Sequence, residues 1–185
     1  MNTVEYGQKI LDELKQSLAR VNAADCEALV SRIAKARRVF VAGSGRSLLM
    51  LKPFAMRLMH MGLQAYVVGE TVTPAIGKGD LLLFGSGSGE TGSLASMAKK
   101  AKSLDVEMAL ITIFPQSTIA GLADTVVQIS APTSKAESGY VSIQPGGSCF
   151  EQSMLMLLDA MVIRLAEEME IDANAGIGRR HANLE

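Results

Sequence analysis

Five short apolar runs punctuate the chain, and a turn signal closes each one. Val39-Phe40-Val41-Ala42 enters a glycine loop, Ala65-Tyr66-Val67-Val68 reaches Gly69, and Leu81-Leu82-Leu83-Phe84 reaches Gly85. Ala109-Leu110-Ile111-Thr112-Ile113 stops before Pro115, and Val126-Val127-Gln128-Ile129 before Pro132. The runs are nearly continuous in apolar character, so both faces of each strand are covered, as in a parallel sheet. Stretches of helical period lie between them, and this alternation predicts an α/β fold, a three-layer α/β/α sandwich. Two helices are expected before the first strand, over Tyr6–Val21 and Asp25–Ala36, within residues 1–36. A long helix should close the domain, because Phe150, Met154, Leu157, Leu158, Met161 and Leu165 recur at helical spacing. Pro53 is expected in the first turn of its helix, since farther in it would remove a backbone donor.

Composition narrows the class. A chain of 185 residues suits a single domain, 1–185. A hydrophobic share of 48% with 17 Gly, 11 Met and no Trp fits an α/β protein rather than a disordered one. A net charge of −1 offers no basic field, so no nucleic acid is expected as a partner. The first residues carry no basic-then-apolar leader, and Asp159 interrupts the longest apolar stretch; no membrane partner and a cytoplasmic location are expected. Cys26 and Cys149 stand far apart, outside any CxxC pair, and read as small buried residues with neither a metal nor a disulfide framework. Pro132–Gly147, with Ser134, Glu137, Ser138, Gly139 and Ser142, reads as a loop. The tail 170–185, including Asn174-Ala175-Gly176, lacks the apolar periodicity to hold itself and must lie on something or stay unfolded.

Candidate chemistry concentrates after the third run. Ser86-Gly87-Ser88-Gly89-Glu90-Thr91 carries a strand into a helix and gathers hydroxyls and backbone N–H groups at the positive end of a helix dipole. Such a loop can cradle a phosphate; the alternative is a turn in which Ser86 or Ser88 only caps the helix. Gly43-Ser44-Gly45-Arg46-Ser47 follows the first run, and Arg46 and Ser47 would add a cation and a hydroxyl. Neither loop is a Walker motif, and the first lacks the third glycine of a dinucleotide fingerprint, so a phosphomonoester on a small molecule suits better than a nucleotide. In a doubly wound sheet the two loops can lie side by side at the carboxyl ends of adjacent strands.

Groups that could move protons are few. Glu151, in the first turn of the last helix, is either a general base or the glutamate of a capping box over Ser148-Cys149-Phe150-Glu151. His60 reads as packing. His181, in a polar tail beside Arg179 and Arg180, could complete a neighbour's site in an oligomer. Glu70 and Glu90 stand near strand ends, where either could serve as a cap.

The two loops together resemble the sugar isomerase (SIS) domain family of sugar-phosphate isomerases and sensors. The similarity extends to Phe54-Ala-Met-Arg-Leu-Met-His60, Val68-Gly-Glu-Thr71, Gln144-Pro145-Gly146-Gly147-Ser148 with Phe150-Glu151, and Arg180-His-Ala-Asn-Leu-Glu185, which covers nearly the whole chain. The resemblance implies a flavodoxin-like SIS fold with a five-stranded parallel sheet. It implies interconversion of D-arabino-3-hexulose 6-phosphate and D-fructose 6-phosphate, the second step of formaldehyde fixation by the ribulose monophosphate route. It places Ser47, Ser86, Ser88 and Thr91 at the substrate's phosphate, with Gly45, Arg46, Gly87, Gly89 and Glu90 in the same binding loops. It makes Glu151 the proton acceptor and implies a homotetramer in which the tail docks on a neighbouring subunit, with His181 at a shared site. Cofactors are expected to be none. Two readings compete: a sugar-phosphate-binding regulator without catalysis, and an isomerase of another phosphosugar.

Overall fold

The apolar runs form β1 (Val39–Gly43), β2 (Ala65–Val67), β3 (Leu81–Gly85), β4 (Glu107–Thr112) and β5 (Thr125–Gln128). They pair in parallel throughout, in the order β2-β1-β3-β4-β5. The structure, a computed structural model, describes residues 1–132, 141–172 and 178–184. Ser134, Glu137, Ser138 and Gly139 of the expected loop, Asn174-Ala175-Gly176 of the tail, and Glu185 lie outside the described residues.

The two-residue period of the strands divides the core. Val39, Val41, Leu81, Leu83, Ala109 and Ile111 face one side, while Phe40, Ala42, Leu82, Phe84, Met108 and Leu110 face the other. The first side is covered by α2 (Ala23–Lys35), α3 (Gly45–His60) and α5 (Ser148–Glu168), with α1 (Thr3–Leu18) packed on α5. The second is covered by α4 (Gly92–Ser103), through Leu94, Ala98 and Ala101, together with Ile119 and Ala120 from the connection after β4. The sandwich is three-layered as expected, with a thick helical layer on one face and a thin one on the other.

Differences from the sequence reading are local. The first two helices start two or three residues early, where the side chains of Asn2 and Asn22 accept from the backbone N–H groups of Glu5 and Ala24. Pro53 does not lie in a first turn. The helix begins at Gly45, directly behind the loop, so Pro53 sits in its interior and one backbone hydrogen bond is forgone. The buried stripe Leu51, Phe54, Ala55 and Leu58 on the same helix offsets that loss, at roughly 1.5–3 kcal/mol for each fully buried large side chain.

The amino edge of the sheet is closed by charge. Asp80, just ahead of β3 and only 1% exposed, accepts from Arg37 Nε at 3.0 Å, Arg38 Nη2 at 2.6 Å and Gly77 N at 2.9 Å. Burial alone would raise its pKa, but hydrogen bonds from Arg38, Arg37 and Gly77 outweigh it and bring it down to about 2.

Candidate active site

At the carboxyl edge, β1 and β3 are neighbours in register, Gly43 opposite Gly85, and the chain departs from them in opposite directions. This is the topological switch point, where open α/β sheets hold ligands. The loops Gly43–Ser47 and Gly85–Thr91 therefore lie side by side, as expected.

The second loop is held from below by β4 and its connection to β5. Ser86 N donates to the Ile111 carbonyl at 3.0 Å, while Ile113 N and Thr112 Oγ1 both donate to the Gly87 carbonyl, at 3.1 and 3.2 Å. Its hydroxyls shape it from within: Ser86 Oγ accepts from Gly89 N at 3.1 Å, and Ser88 Oγ accepts from Glu90 N at 3.2 Å. Gly89 adopts a φ of 61°, and a Cβ there would collide with the Ser117 side chain, so glycine is required. A Cβ on Gly87 would come within 3.3 Å of the Phe150 ring, so the loop is pressed against the start of α5. A cleft of about 500 Å³ opens beside it, lined by Ser88, Glu90, Thr91, Phe114, Gln116 and Ser117.

Three helices begin at this edge, and the residues before them, Ser44, Thr91 and Gly147, make no side-chain cap hydrogen bond. Their first N–H groups are free of side-chain caps, which suits an anion. Gly45 opens α3, with Arg46 and half-buried Ser47 in the same turn.

Glu151 does not serve as a cap. The helix starts one residue earlier than a capping box would need, Ser148 Oγ donates to the Pro145 carbonyl at 2.8 Å, and the box does not form. The Glu151 carboxylate, 14% exposed, instead accepts from Arg46 Nε at 2.5 Å. That ion pair joins the first loop to the start of α5, beside the hydroxyl loop that Phe150 touches. Glu151 thus stands at the switch point with no cap to serve.

Other candidates are engaged or lie elsewhere. Glu90 lines the cleft, and its carboxylate accepts from Thr118 N at 2.6 Å, which holds its pKa below the ordinary value. Glu70 pairs with Lys52 on α3 at 2.7 Å. His60 is buried at the far end of α3, and burial, then Arg57 and His181, pull its pKa down. His181 stacks on His60 with ring centroids 5.7 Å apart, and Arg180 Nη1 donates to the His60 carbonyl at 3.1 Å. Since His60 stands 14 residues beyond Arg46 on α3, His181 lies roughly 21 Å along the helix from its own chain's Arg46. Cys149 is buried and Cys26 half-buried; both are free thiols. The sequence alone does not single out Thr112, which bonds the hydroxyl loop, or Phe114, Gln116 and Ser117, which line the cleft: Pro115 reads as the end of a strand, and the small polar run after it is the one available signal.

A family model for the SIS domain matches residues 32–164. The chain belongs to the SIS domain family, and its five-stranded parallel sheet with helices on both faces agrees with that class. Within it, the chain is 45% identical to a 3-hexulose-6-phosphate isomerase of Bacillus subtilis, over 100% of both proteins. It is 43% identical to a 3-hexulose-6-phosphate isomerase of Mycobacterium gastri, over 95% of this chain and 88% of that one. A crystal structure of a hypothetical protein of Methanococcus jannaschii, for which a molecular function of 3-hexulose-6-phosphate isomerase is inferred, superposes with a TM-score of 0.84 at 32% identity, covering 98% of this chain and 99% of that one.

Proposed function

We propose that the chain is a sugar-phosphate isomerase that interconverts D-arabino-3-hexulose 6-phosphate and D-fructose 6-phosphate, in the cytoplasm, as the second step of formaldehyde fixation by the ribulose monophosphate route. Full-length similarity to the Bacillus subtilis and Mycobacterium gastri isomerases supports the substrate. The observation that carries the chemistry is the uncapped Glu151 carboxylate paired with Arg46 beside the hydroxyl loop.

The phosphate sits among Ser47, Ser86, Ser88 and Thr91 and the free N–H groups at the starts of α3 and α4, where neutral donors and dipoles favour an anion. Glu151 takes the proton from C2 of the 3-ketose, forming a cis-enediol, and returns it to C3. The hydroxyl proton at O2 is transferred to O3, which leaves the carbonyl at C2. Before the C2 proton is taken, Arg46 exchanges its carboxylate partner for the sugar's oxygens, which frees Glu151 to act as the base. Because O6 is phosphorylated, closing the 3-ketose through O5 would make a four-membered ring, so that substrate is acyclic and needs no ring opening.

Chains associate as homotetramers, and the tail of one brings His181 to a neighbour's site to serve O2 and O3. Two features favour this reading: His181 is remote from its own chain's Glu151, and Leu49, Met56, Met156 and Ile163 on α3 and α5 are exposed apolar side chains that a second copy would cover. Truncation after Gly178 should cost activity far more than melting temperature; a fully active truncated protein removes the tail from the mechanism.

The deciding experiment incubates the protein with fructose 6-phosphate in deuterated water. Exchange at C3 with appearance of the 3-ketose is expected. Exchange at C1 would identify a different isomerase, and a bound sugar without exchange a sensor.

A further inference from the structure

Helix α1 carries two buried polar residues one turn apart, Glu13 and Ser17, and the proposed chemistry uses neither. A buried carboxylate must be satisfied by hydrogen bonds, and Glu13 is satisfied by the segment that leads into α5. Its Oε1 accepts from Ile143 N at 2.8 Å, and its Oε2 from Ser142 Oγ at 2.7 Å and Gln144 Nε2 at 2.9 Å. Ser17 Oγ donates to the Ser130 carbonyl at 2.9 Å, just beyond β5. Adjacent turns of α1 thus grip the β5–α5 connection where it leaves the sheet and again where it nears the helix.

Only Pro145–Gly147 separates that grip from α5, and it is folded on itself. Ser148 N and Oγ both donate to the Pro145 carbonyl, and Glu151 N donates to the Gly147 carbonyl at 3.0 Å. The Glu151 carboxylate lies directly over this turn, since a Cβ on Gly147 would stand 3.7 Å from its Oε1.

We propose that Glu13 is a positioning residue for the isomerisation: by anchoring Ser142–Gln144 it sets the start of α5 and holds the Glu151 carboxylate at the reacting carbons. The proposal rests on the isomerase reading above. Three donors converge on Glu13, which an ionised carboxylate can accept and an amide cannot, because the amide presents an N–H of its own. Burial by itself would push the Glu13 pKa up, but bonds from Gln144, Ser142 and Ile143 outweigh it, and the group stays ionised. The hydroxyl loop takes its hydrogen bonds from β4 and the residue after it, through Ile111, Thr112 and Ile113, and makes none with the segment that Glu13 anchors.

The test compares Glu13→Gln and Ser142→Ala with the full-length wild type in three measurements: steady-state isomerisation, calorimetric binding of inorganic phosphate, and backbone hydrogen exchange. For Glu13→Gln the expected result is a fall in kcat of about tenfold to a hundredfold, with KM and phosphate affinity unchanged. Ser142→Ala should fall less, in the same direction. Exchange should accelerate at the Ile143–Glu151 amides and not at Gly87–Thr91. An unchanged kcat in Glu13→Gln overturns the proposal. So does a parallel loss of kcat, phosphate affinity and exchange protection across the whole domain, which is what a merely structural role would produce. Failure of the isomerase reading looks different, because the wild type itself would then not turn over, whatever the exchange pattern.

Discussion

The two ends of strands β1 and β3 invert each other's chemistry. At the amino end, Asp80 is surrounded by Arg37, Arg38 and the Gly77 amide, and its charge is spent within the molecule. At the carboxyl end the same strands release two loops and two helix starts without side-chain caps, and α5 brings a third to the same edge, although α1 and α2 elsewhere are capped by Asn2 and Asn22. Charges and dipoles that satisfy one another contribute to stability, whereas those left facing a cleft are available to a ligand. Stability and function should therefore separate along the strands, and mutations at the two ends should move different observables.

The largest effect is expected from Glu151→Gln. Glutamine keeps the size and can still accept a bond but cannot act as a base, so kcat should fall by roughly a hundredfold or more while the melting temperature stays near wild type. Retention of near-wild-type turnover and proton exchange would place Glu151 with the structural charges and abolish the contrast. Ser88→Ala comes next. Loss of a hydroxyl donor to a charged phosphate should weaken binding by about 1.5–3 kcal/mol, read as a roughly tenfold to hundredfold rise in KM with the fold intact. If inorganic phosphate binds this variant as tightly as wild type, the loop is not the cradle.

The amino end answers to pH instead. Asp80 has a folded pKa of about 2 against an ordinary 3.8, so its stabilisation is fully present above about pH 4 and is lost as the pH falls toward 2. With Arg37 largely in solvent, about 1–2 kcal/mol is at stake. Asp80→Asn should flatten acid unfolding over that window and leave kcat alone; an Asp80→Asn protein with wild-type acid unfolding would contradict the assignment. Smallest is Asn22→Ala, which removes the α2 cap for about 1 kcal/mol of stability with no change in turnover. A drop in kcat there would mean that caps and site are coupled.

The strands and their parallel pairing were legible because both periodicities are strong: Leu81–Phe84 and Val39–Ala42 are apolar on both faces, and the stripe from Phe150 to Leu165 is helical. The two loops were legible because glycine and serine density there exceeds what turns require. The helix beginning at Gly45 was not, since Pro53 argued for a later start and only the packing of Leu51, Phe54 and Leu58 overrides it. Ser148 and Glu151 have the spacing of a capping box, and a tertiary partner, Arg46, draws the glutamate elsewhere. Glu13 left no mark at all. In Leu11-Asp12-Glu13-Leu14-Lys15 it reads as a solvated helix position, and its partners lie 129 to 131 residues away.

That separation also sets when the molecule becomes competent during synthesis. The strands β1 to β5 are complete in sequence at Gln128, while α5, which covers one face of the sheet, is still to be made. The Arg46–Glu151 pair spans 105 residues and the Glu13–Gln144 bond 131, and loop-closure entropy must be met before either is gained. A nascent chain therefore carries the hydroxyl loop and its β4 partners before Phe150 and Glu151 arrive beside them. The loop is made early, and its closure by α5 comes late.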